Sequence, residues 1–211
     1  MKHQIDIAAR TLSLLLYPML MPTYGMIMLC SIIDIPQHSL YPVSYLWLAL
    51  CGSTFVITLL IPLLCIIGLK HAGVITDLHL EQKEQRLWPY LITIVCYIVW
   101  FHTFRTFLPQ FDFLHWTMTG AVAALTAVTI INKFWKISAH LCAIGGLTGG
   151  MINGALSFGI QPTESLCAIL TASLMLMYAR IYLKAHDDKQ VVAGFLLGLV
   201  CTALPYTIAN A

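Results

Sequence analysis

Long apolar runs separated by short polar connections make up most of this chain, and the length of those runs decides its class. A helix that crosses a bilayer needs about 20 consecutive, mostly apolar residues. That ruler places spans at roughly residues 9–33, 43–69, 89–109, 113–132, 138–160, 163–183 and 190–209. The pattern predicts an all-α, polytopic transmembrane helical bundle of six to seven spans, in one integral membrane domain over residues 1–211. The first run holds Pro18 and Pro22, each lacking a backbone N–H, so a kinked and peripheral segment is expected there. Lys2 and Arg10 precede it as in a signal peptide, but it continues through Ile33 with no small-x-small cleavage site, which favours a retained span. Pro89 suits a first helical turn, and Thr163 is a candidate N-cap. The 70–88 linker mixes Ile75, Leu78, Leu80 and Leu87 with Asp77, Glu81, Lys83, Glu84 and Arg86, which predicts a short amphipathic helix in the headgroup zone.

Composition agrees, since 59% of the 211 residues are hydrophobic and 9% charged, against about 25% charged in soluble domains. The net charge of +2 gives no basis for nucleic-acid binding. Seven singly scattered cysteines without a CxxC spacing read as small buried hydrophobes. The placement of charge says more than its sum. With seven spans, the N-terminus and the 2–3, 4–5 and 6–7 connections share one side. That side carries Lys2, Arg10, Lys70, Lys83, Arg86, Lys133, Lys136, Arg180, Lys184 and Lys189, which is ten of the eleven basic residues. The positive-inside bias makes it the cytoplasmic side. The eleventh, Arg105, lies in the third span near its far end, where it can snorkel.

Three polar clusters emerge on that basic side. The first is Lys83-Glu84-Gln85-Arg86-Leu87-Trp88-Pro89, where Arg86 can fork two donors at an anionic oxygen or serve as an interfacial anchor. The second, Ser138-Ala139-His140, opens the fifth span, where unpaired N–H groups and the helix dipole favour an anion; Ser138 could equally be a plain N-cap and His140 an interface histidine. The third runs from Arg180 through His186 to Gly194, joining the sixth span to the seventh. Arginine and histidine together suit phosphoryl chemistry, one neutralising oxygens while the other attacks or moves protons.

These clusters resemble the three motifs of the type 2 phosphatidic acid phosphatase superfamily: a Lys/Arg-Pro motif, Pro-Ser-Gly-His, and Ser-Arg-x5-His-x3-Asp. Arg180, five residues and His186 keep the third spacing, and Val191-Val192-Ala193-Gly194 follows as in that family. Ser138-Ala139-His140 is similar to the second motif, and Lys83, Arg86 and Pro89 to a loosened first. The resemblance covers about residues 70–200, preceded by two additional spans. It implies metal-free, cofactor-free hydrolysis of a lipid or polyprenyl phosphate at a bacterial inner (cytoplasmic) membrane. By motif match His186 is the nucleophile that forms a phosphohistidine and His140 the acid, while Arg86, Arg180, Ser138 and Lys83 hold phosphate oxygens. The chain departs from the pattern at several positions. Gln190 stands where the family has the histidine-orienting Asp, Ala179 replaces the first Ser of the third motif, and Ile137 and Ala139 replace Pro and Gly of the second. A glutamine carbonyl can fix the tautomer of His186 but adds no charge, so a binder or transporter of lipid phosphates is the second expectation. A metal-dependent prenyltransferase would need paired acidic motifs, and no DxxxD spacing is present. Gly146-x3-Gly150-x3-Gly154 and Gly145-x3-Gly149 in the fifth span predict close helix packing or a homodimer face.

Overall fold

The computed structural model describes residues 2–32, 43–77 and 83–210. Nine α-helices are found among them: α1 (Lys2–Leu15), α2 (Met21–Ile32), α3 (Val43–Phe55), α4 (Ile61–His71), α5 (Leu87–Phe107), α6 (Asp112–Phe134), α7 (Ala139–Phe158), α8 (Thr163–Tyr182) and α9 (Asp188–Ala209). Within the described residues there is no strand, and six helical segments are long and apolar enough to cross a membrane. The protein is an all-α, integral membrane bundle. Large apolar side chains such as Leu48, Phe134 and Leu174 point outward at 72%, 82% and 67% exposure, as lipid-facing positions do.

The second span is α3 and α4 joined by a π-helical turn, Val56–Leu60. Pro62 follows, and a wider turn accommodates the N–H it lacks and the clash its ring would make with the preceding turn. The first run departs from expectation. Its helix begins at Lys2 rather than residue 9, breaks at a 3-10 turn over Pro18–Leu20, and bends by 41° between residues 3–15 and 18–31. Only α2 enters the bundle, running alongside α7, with Gly25 against Leu147 and Leu29 against Gly154. The amphipathic α1 instead packs on α8. The expected linker helix is absent over residues 72–77, which form turns and bends. Ile75 is buried against Met19 and Ile66 instead of lying among headgroups. Leu78, Leu80 and Glu81 fall outside the described residues. Thr163 is the first residue of α8, with Pro162 at the cap position and no side-chain cap bond.

The centre of the bundle is α7, more than half of which is buried. Its closest partner is α9. A Cβ on Gly194 would come 2.5 Å from the Ser138 carbonyl oxygen, and one on Gly198 would collide with the Cys142 carbonyl. Gly145 and Gly149 of α7 face α9 in the same manner, Gly150 faces Thr117 of α6, and Gly154 faces Leu29 of α2. The glycines of the fifth span are therefore used inside the protomer, which removes the basis for a homodimer face there. Gly159, at φ 62°, ends α7 in the left-handed conformation that glycine takes most easily.

Candidate functional site

Five helix termini meet at one end of the bundle: the starts of α5, α7 and α9 and the ends of α6 and α8. The glycine-mediated approach of α9 to α7 sets the arrangement, because it draws the segment ahead of α9 onto the segment ahead of α7. The Ser138 backbone N–H donates to the Gln190 carbonyl at 3.3 Å. Ser138 itself is fully buried, and its hydroxyl oxygen accepts from the Leu141 N–H at 3.4 Å. It is the N-cap of α7, a role that leaves its O–H able to donate to a phosphate oxygen.

His186 is positioned by its own loop. Lys184 adopts φ 54°, and this reversal lets the N–H groups of Ala185 and His186 bond the Arg180 carbonyl at 3.1 and 3.4 Å. The five-residue spacing thus folds His186 back beside Arg180. Ahead of α9, Asp187 and Gln190 form a capping box, with the Gln190 N–H donating to Asp187 Oδ1 at 2.8 Å. The Gln190 Oε1 also stands 2.9 Å from His186 Nδ1, and the Lys136 carbonyl stands 3.2 Å from the same nitrogen. Both neighbours are acceptors, so Nδ1 carries the proton and Nε2 the lone pair. Burial foremost, and then the charges of Arg180, Arg86 and Lys136, push the His186 pKa down to about 4, against the opposing hydrogen bond that the ring donates to Gln190. The ring is a neutral imidazole at physiological pH.

Arg86 immediately precedes α5 and is 7% exposed. Its Nη1 donates to Asn132 Oδ1 at 3.4 Å, and Tyr90 stands one turn farther along α5. Asn132, on the last turn of α6, was not singled out from sequence; an amide in an otherwise apolar helix just before Lys133 was the available signal. Arg180, His186 and Arg86 all act electrostatically on the His140 ring, so the three sequence clusters gather at one end of the bundle. The Lys83 side chain lies outside the described residues.

His140 has a partner that sequence did not suggest. Its Nε2 is 3.2 Å from the carbonyl oxygen of Ser13 on α1, and its ring packs edge-on against Tyr17 at 5.8 Å between centroids. That carbonyl is available because the Tyr17 N–H has turned to Leu14, three residues back, where the helix tightens ahead of Pro18. A carbonyl can only accept, so Nε2 is the donor. Farther along, α1 packs against α8. The N-terminal helix thus roofs the pocket. Arg105, by contrast, is at the other end of α5, exposed and 5.8 Å over the Phe101 ring, in keeping with snorkelling.

The pocket combines two guanidinium groups with two imidazoles, a set suited to a multiply charged anion. No family model matches the chain, and no curated protein or solved structure matches it.

Proposed function

We propose that this protein is a lipid-phosphate phosphatase that hydrolyses a phosphate or pyrophosphate monoester of a lipid or polyprenol. In this reading it is a member of the type 2 phosphatidic acid phosphatase superfamily and works at the cytoplasmic face of a bacterial inner membrane. The observation that carries the reading is the state of His186. Two acceptors, Gln190 Oε1 and the Lys136 carbonyl, hold its Nδ1 proton and leave the Nε2 lone pair free to attack beside Arg180 and Arg86. The Nε2–P bond forms as the P–O bond to the lipid alcohol breaks, and the two arginines offset the charge on the transferring group. Water then cleaves the N–P bond and releases inorganic phosphate. His140 supplies the proton to the leaving oxygen. It takes up that proton beside the bound dianion and delivers it from Nδ1, because Nε2 donates to Ser13. Chelator-insensitive, vanadate-sensitive phosphate release from a lipid phosphate tests the reading. Release that persists in His186→Ala overturns it.

Gln190 favours a second reading, in which the same pocket binds lipid phosphates without turning them over. A neutral amide orients the ring but does not stabilise the imidazolium by charge. A wild-type protein that binds but does not hydrolyse, with hydrolysis appearing in a Gln190→Glu variant, would decide for it.

A further inference from the structure

An apolar groove runs away from the pocket between α2, α5, α6 and α7, with a volume of about 160 Å³. A cavity of that size lined by apolar side chains stays dry and takes up apolar molecules. Small residues on its walls open the space: Gly25 of α2, Ala121 of α6, and Ala143, Gly146 and Gly150 of α7. Three lining residues also belong to the pocket's surroundings. Tyr90 stands one helical turn after Arg86, Tyr17 packs on His140, and Ala139 lies between Ser138 and His140. Along α7 the lining extends from Ala139 to Gly150 and Met151, about 17 Å at the helical rise. That depth reaches past the middle of a hydrocarbon core about 30 Å thick.

We propose that this groove holds one hydrocarbon chain of the phosphorylated lipid, with its anionic headgroup in the pocket of Arg86, Arg180, His140 and His186. The proposal rests on the phosphate reading of that pocket and adds the place of the tail. A ligand with a cation-seeking head and a single long apolar chain is the one chemistry that uses both ends. An uncharged lipid would make no use of the positive charge at the headgroup end, and a free phosphate would leave the groove unfilled. The narrow volume suits one chain, so the second chain of a two-chain lipid stays in the bilayer. The groove passes beneath Tyr17, Pro18 and Met19, and the tail therefore lies under the break that sends α1 over the headgroup.

The test uses the full chain in lipid nanodiscs with dodecyl phosphate bearing a terminal diazirine, photolysed and mapped by peptide mass spectrometry. Labelling is expected on groove residues of α6 and α7, such as Thr117 and Leu147. It should be suppressed by unlabelled dodecyl phosphate and reduced at least tenfold in Ala121→Phe or Ala143→Leu, while inorganic phosphate protects wild type and variants equally against thermal unfolding. Labelling confined to lipid-facing residues such as Leu174 and Val200, with phosphate protection intact, overturns the tail site and leaves the headgroup reading standing. Absence of protection by inorganic phosphate in the wild type overturns the headgroup reading and the tail site together. Should a groove-filling variant fail to fold, the wild-type labelling pattern and its competition decide alone.

Discussion

Replacing Gln190 by glutamate changes one charge at the contact that defines His186 and leaves the shape nearly unaltered. Glutamate keeps an oxygen facing Nδ1, now 2.9 Å from Oε1, and it also completes a capping box with Asp187. The expected effect follows from electrostatics. Two unit charges about 4 Å apart at an effective dielectric near 20 attract by about 4 kcal/mol. At about 1.4 kcal/mol per unit that is nearly three pKa units; the glutamine hydrogen bond being replaced already supplies part of that rise, which leaves about two. The His186 pKa should rise from about 4 to about 6. The sign for stability follows from linkage. In the wild type the folded value lies below the ordinary histidine value of about 6.5, so the unfolded chain binds the proton more tightly. Stability is then lost as pH falls from about 6.5 through 4 and is unaffected above that window. In Gln190→Glu most of that acid-side loss should disappear. Nitrogen-15 NMR of histidine-labelled protein in nanodiscs, with His186→Asn to assign the resonance, reads the titration directly. A shift of less than about one unit would refute the hydrogen bond between the two side chains, and with it the account of how the ring is held.

Arg86→Ala should weaken inorganic phosphate binding by about 10- to 100-fold, the loss expected for a charge-assisted bond of roughly 1.5–3 kcal/mol; Arg86→Lys should fall between, because it keeps charge but not the fork. Calorimetric titration of the purified protein checks both. Gly198→Ala should lower the unfolding temperature by forcing α9 from the Cys142 carbonyl, a cost of about 1–3 kcal/mol, and should weaken phosphate binding although residue 198 lies outside the pocket. Unfolding scans with and without phosphate separate the two effects. Pro18→Ala restores an N–H and lets α1 continue, so that Tyr17 can bond Ser13 and compete with His140. The His140 Nε2–H signal should then exchange with water faster than in the wild type.

The membrane class was legible because bilayer thickness fixes how long an apolar run must be, and the six clear spans meet that requirement within a few residues at each end. The motif resemblance put Gln190 at the histidine-orienting position, and its Oε1 does stand 2.9 Å from His186 Nδ1. Other features lay beyond the reach of one-dimensional pattern. The role of α1 depends on a carbonyl freed by a local tightening at Tyr17, and its partner His140 is 127 residues away. Asn132 looks like any helix-end amide until α5 delivers Arg86 to it. Ser138 offered two roles by spacing alone, and its bonds to Leu141 and Gln190 establish the cap. The glycines of α7 predicted close packing correctly in kind, but whether a partner helix came from the same chain depended on α9, whose own Gly194 and Gly198 complete the contact.

The account turns on His186 as the atom that meets phosphorus, and rapid-quench mass spectrometry of the protein mixed with a lipid phosphate measures this most directly. Quenched under alkaline conditions, where a phosphohistidine survives, the peptide spanning His186 should carry a phosphoryl group, Gln190→Glu should change how much accumulates, and the peptide spanning His140 should carry none. Phosphate release from the lipid with no phosphoryl group on His186, or with one on another side chain, would contradict it.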